Sequence, residues 1–100
     1  MPTASSEHSV FRGRDAVVTR EIVGETLLVP ISADLADLDA IFALNETGAF
    51  IWQRLDGEHS LGQVRDAVVE SFEVEPQEAW QDVNQLLGAL AERRLVEQVR

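Results

Sequence analysis

Three groups of side chains have the types that catalysis or ligation requires, and each lacks something the chemistry needs. Ser5, Ser6 and His8 stand close together near the amino terminus, the start of a hydroxyl nucleophile activated by an imidazole. No third group is tied to them to orient the ring. His59 lies in the polar run Asp56-Gly57-Glu58-His59-Ser60, which reads as a solvated turn between two helices. Asp34, Asp37 and Asp39 have spacing like part of a calcium loop, but the required glycine and the downstream bidentate glutamate are missing. There is no glycine-rich phosphate loop. With no cysteine and two histidines, thiolate chemistry is impossible and a protein-supplied zinc site has too few ligands. The residues assemble no active site and call for no cofactor or metal.

Binding chemistry is better represented. Ile41, Phe42, Ala43 and Leu44 form a short apolar run stopped by Asn45. As a strand at a sheet edge, this run presents unpaired N–H and C=O groups able to accept an added peptide strand. Trp80, Asn84, Leu87 and Ala91 follow steps of four, three and four, so on a helix they form one stripe beside the core face. Trp80, an apolar residue among polar ones, reads either as core packing or as the wall of a groove gripping a peptide side chain. Asn84 reads as a contact to the peptide or as a solvated helix residue. Together with Val83, these helix residues are the candidate side-chain pockets. Trp52, beside Ile51, reads as core.

These residues need elements to hold them. The chain has 100 residues, 45% apolar and 26% charged, which suits one small domain. Residues 1–14 read as a flexible amino-terminal segment, frayed over Met1 to about Val10, and residues 15–100 as the domain. Two β-branched stretches, Ala16–Val23 and Thr26–Ile31, flank Gly24-Glu25 and predict a hairpin. Pro30 has no N–H to donate and belongs at a strand end or edge. Ser32–Asp39 reads as an acidic loop, and Ala40–Leu44 as the third strand.

From Asn45 the period lengthens. Asn45 is a good N-cap for a helix carrying Phe50, Ile51, Trp52 and Leu55. Ser60-Leu61-Gly62-Gln63 fits a capping box opening a second helix with the stripe Leu61, Val64, Val68 and Phe72. Pro76 suits the first turn of the longest helix, which follows a mediocre cap at Glu75. Its core face is Ala79, Val83, Leu86, Leu87 and Leu90. Gln77, Glu78, Gln81, Asp82 and Gln85 face solvent. The helix ends near Arg93-Arg94, and Leu95–Val99 is a short terminal extended segment. The expected order is β-β-β-α-α-α, an α+β fold in which three helices cover a three-stranded antiparallel sheet.

The segment Leu44-Asn45-Glu46-Thr47-Gly48-Ala49-Phe50-Ile51-Trp52-Gln53-Arg54-Leu55-Asp56-Gly57 resembles the PqqD signature. That signature is a leucine–asparagine pair, then threonine–glycine, isoleucine–tryptophan and leucine–aspartate–glycine. Phe72-Glu73-Val74-Glu75-Pro76 and Leu95-Val96 match the family's link and closing pair. The resemblance spans about Asp15 to Val99 and is most specific from Leu44 to Pro76. Arg94 departs from it, standing where the family commonly has glycine, and the Ser32–Asp39 link is longer and more acidic than in the shortest members.

The resemblance implies a winged helix-turn-helix-like RiPP recognition element. Such a protein is a non-enzymatic peptide chaperone that holds the leader of a ribosomal precursor peptide as an added strand between the third strand and the third helix. It presents that leader to a modifying enzyme, often a radical SAM enzyme, as in pyrroloquinoline quinone biosynthesis. The groove argued above from the residues lies in the same place.

Charge bears on the rivals. Eighteen acidic against eight basic side chains, all arginine, leave −10, which repels nucleic acid and anionic membrane surfaces. A winged-helix DNA reader needs a basic recognition helix, yet Pro76–Ala91 has no arginine or lysine. Self-pairing of the edge strand into a homodimer is the other reading. No signal peptide or membrane-length apolar run is visible, and the expected location is cytoplasmic.

Overall fold

The computed structural model describes residues 6–31 and 41–100. Strands β1 (Val10–Gly13), β2 (Val17–Ile22), β3 (Glu25–Pro30) and β4 (Phe42–Leu44) lead into helix α1 (Glu46–Gln53). Strand β5 (Asp56–Ser60), helices α2 (Leu61–Phe72) and α3 (Pro76–Glu92), and strand β6 (Val96–Gln98) follow.

The expected antiparallel sheet is present in the order β2-β3-β4. Val17 pairs with Pro30 and Ile22 with Glu25, so Val23-Gly24 is a two-residue turn. Both turn residues have positive φ, 50° and 81°, as a type I′ hairpin requires. Pro30 ends β3, where its missing N–H interrupts no ladder. Leu28 stands opposite Phe42, and Thr26 opposite Leu44. Leu28 and Leu44 are buried. Among the described residues β4 pairs with β3 alone and stands at the edge of the sheet. The Ser32–Asp39 loop with its three aspartates, and Ala40, lie outside the described residues.

A second sheet, β5-β1-β6, corrects two sequence expectations. Residues 10–13, expected within a flexible segment, form its central strand. Val10 pairs with Ser60, Arg12 with Asp56, and Phe11 with Gln98. Residues 6–9 are also tied down. Ser9 O and Glu7 O accept from the N–H groups of Leu61 and Gly62, two orphan donors at the start of α2. The run 56–60, expected to be a solvated turn, is strand β5. Asp56 Oδ1 accepts from the backbone N–H groups of Glu58 and His59, Gly57 takes φ 83°, and a bulge lies between the two pairings with β1.

The helices start as their caps dictate. Asn45 Oδ1 accepts from Gly48 N at 2.7 Å. Ser60 and Gln63 complete a reciprocal capping box. Glu75 makes no side-chain cap bond, and Pro76 opens α3. At the far end of α3, Arg94 N–H donates to Ala91 O and Leu95 N–H to Leu90 O. This is a Schellman closure with Arg94 at φ 58°, so the turn that glycine would favour forms with arginine in its place. The core joins Leu28 and Leu44 to Ile51 and Leu55, to Leu61, Val64 and Val68 of α2, and to Ala79, Val83, Leu87 and Leu90 of α3.

Candidate functional site: the cleft between β4 and α3

A cleft of about 410 Å³ separates the β4 edge from α3. Phe42, Ala43 and Leu44 form one wall, and Asp82, Gln85, Leu86 and Ala89 form the other. Asn45, Thr47 and Gly48 close one end, with Ile51 contributing from α1. The Asn45 carboxamide oxygen is already engaged as the α1 cap. A Cβ on Gly48 would come within 3.1 Å of that oxygen, so glycine suits the tight join of strand and helix. Near the β4 end, the Arg93 guanidinium lies 5.4 Å from the Phe42 ring centroid. The arrangement sets the strand edge against a wall that is half apolar (Leu86, Ala89) and half polar (Asp82, Gln85), a geometry that can receive an extended peptide.

The structure brings the strand half of the predicted site together. Phe42, Ala43 and Leu44 line the cleft, and half-buried Ile41 precedes them. The helix residues named from the sequence, Trp80, Val83, Asn84 and Leu87, lie elsewhere around α3 than the cleft wall. Val83 and Leu87 are buried in the core. Trp80 turns towards α2, its ring 5.6 Å from the Arg65 guanidinium. Asn84 donates to Trp80 O at 2.9 Å, one turn back on its own helix. The wall is made by Asp82 and Gln85, read from the sequence as solvent-facing, by Leu86, read as core, and by Ala89, which the sequence reading assigned to neither face. Their steps of three, one and three mark a single stripe, and the apolar pair Leu86 and Ala89 beside Asp82 and Gln85 was the available signal.

The candidate chemical groups remain apart. His8 N–H donates to Ser6 Oγ; Ser5 lies outside the described residues. His59 Nδ1 sits 2.8 Å from Asp56 Oδ2 on exposed β5. Among the described residues, no three histidine, aspartate or glutamate side chains cluster to hold a metal ion, and no helix is long and apolar enough to cross a membrane. A second cleft, about 490 Å³, lies between β2 and α1. There Trp52 Nε1–H donates to Thr19 Oγ1 at 3.2 Å, so Trp52 fastens the hairpin to the helices.

The fold and cleft define a small α+β domain in which, among the described residues, the edge strand β4 faces helix α3 across a cleft. Residues 30–96 match the family described as coenzyme PQQ synthesis protein D (PqqD), and the chain belongs to that family. No curated protein matches it. Two solved structures are similar. TbiB1 in complex with the TbiA(beta) leader peptide is 27% identical with a TM-score of 0.70, over 86% of this chain and 94% of that one. Lasso peptide synthetase B1 complexed with the leader peptide is 26% identical with a TM-score of 0.72, over 87% and 96%.

Proposed function

We propose that this protein is a non-catalytic adaptor that binds the leader of a ribosomally made precursor peptide. The leader adds to β4 as a further strand and lies over α3. The observation that carries this reading is the β4 edge, unpaired among the described residues, facing Leu86 and Ala89 across the cleft. Backbone pairing along Ile41, Phe42, Ala43 and Leu44 supplies orientation, and the α3 wall selects side chains. Two similar structures, both of proteins complexed with leader peptides, support it. Trp80, Val83, Asn84 and Leu87 act behind the wall, holding α3 in place.

The bound leader is then presented to a peptide-modifying enzyme. PqqD membership supports a radical SAM enzyme in this role, with pyrroloquinoline quinone as one product class. Titrating isotope-labelled protein with the leader of its cognate precursor tests the reading. Amide shifts are expected in residues 40–44 and along α3. Shifts confined to α1 and α2 would sink it.

A further inference from the structure

Of the side chains that line the β4–α3 cleft, Asp82 alone is charged. It is half-buried, and no arginine or histidine pairs with it among the described residues. Its wall partners Leu86 and Ala89 are apolar, and Gln85 is the other polar group on α3. A strand laid over this wall strips water from the carboxylate. That cost is offset only when the incoming side chain supplies a cation or hydrogen-bond donors. Glu78, one turn before Asp82 on α3, is exposed, whereas the Arg93 guanidinium lies against Phe42 on the strand wall, so the carboxylate is the charge that an incoming side chain meets on the helix wall.

We infer that the strand received here carries an arginine or lysine meeting Asp82 and an apolar side chain, two residues away, meeting Leu86. The inference rests on the leader-binding reading and names the chemistry of the leader. The spacing follows from the two elements. Asp82 and Leu86 are four residues apart on one helix face, a rise of about 6 Å. Same-face side chains of an extended strand repeat at about 6.7 Å. The two repeats nearly coincide, so the recognised pattern is basic–x–apolar, or its reverse, depending on strand direction.

Panning a displayed library of short random peptides against the full chain, and against Asp82→Asn, Asp82→Arg and Leu86→Glu, tests this. The wild-type protein is expected to enrich arginine or lysine two positions from an aliphatic or aromatic residue. Asp82→Asn should bind those peptides about threefold to tenfold more weakly, and Asp82→Arg should enrich aspartate or glutamate at the same position. No charge preference in wild type, or the same preference with Asp82→Asn, overturns the inference and leaves strand addition standing. Enriched peptides that bind Leu86→Glu as tightly as wild type, or no enrichment at all, overturn the leader-binding reading itself. Unchanged amide spectra away from the cleft verify that each variant is folded.

Discussion

The backbone at Val23 and Arg94 and the charge of Asp56 each predict a measurable change. Val23 sits at φ 50° in the hairpin turn and is 96% exposed. A β-branched residue pays sterically in the left-handed region and here recovers nothing by burial. Val23→Asn should raise stability by about 1 kcal/mol, read as a higher thermal midpoint. Arg94 closes α3 at φ 58° and is exposed, so Arg94→Gly should add about 0.5–1 kcal/mol by the same measurement. Asp56 differs in kind. Desolvation acts to raise its pKa, but the backbone N–H groups of Glu58 and His59 and the His59 ring outweigh it and hold the carboxyl below its ordinary value. A depressed carboxyl stabilises above its unfolded value, about 3.9, and that contribution disappears as pH falls through the folded value. Urea midpoints of wild type and Asp56→Asn should therefore differ at neutral pH and converge below about pH 4.

At the scale of elements, the two sheets depend on one close approach. A Cβ on Gly13 of β1 would fall 2.5 Å from Trp52 Cη2, and Trp52 in turn bonds Thr19 of β2. Gly13→Ala should cost about 1–3 kcal/mol and loosen the hairpin, visible as lost amide protection in both β1 and β2. This contact also shows which elements were legible in the sequence. The hairpin, the Asn45 cap, the Ser60 capping box and the Pro76 start all rest on residues close together in the chain, and they are where the local chemistry places them. β1 and β5 rest on pairings between residues 10–12 and 56–60 and on a bulge between those pairings, so no local period reveals them. The cleft was half legible for a related reason. Composition and length mark β4, but the rotation of α3 about its axis is decided by packing, which buries Val83 and Leu87 and turns Leu86 to the edge.

For the whole molecule, the question is whether the free β4 edge receives a leader or a second copy of the chain. β4 has three residues, so two paired edges would share few hydrogen bonds, each with a modest net contribution of about 1 kcal/mol. Such pairing would also bring together two chains of net charge −10, with Asp82 of each beside the junction. At moderate salt this repulsion acts over a Debye length of about 8–10 Å, enough to span neighbouring walls. A basic peptide meets the opposite field and is drawn towards the same edge, faster as salt is lowered. Sedimentation over a concentration series should therefore show a monomer at low salt. Any dimer should appear only at high salt, and a peptide selected for the cleft should dissolve it, because both occupy β4. A dimer that strengthens as salt is lowered, or that persists with the cleft filled, would show that the chain pairs through another surface.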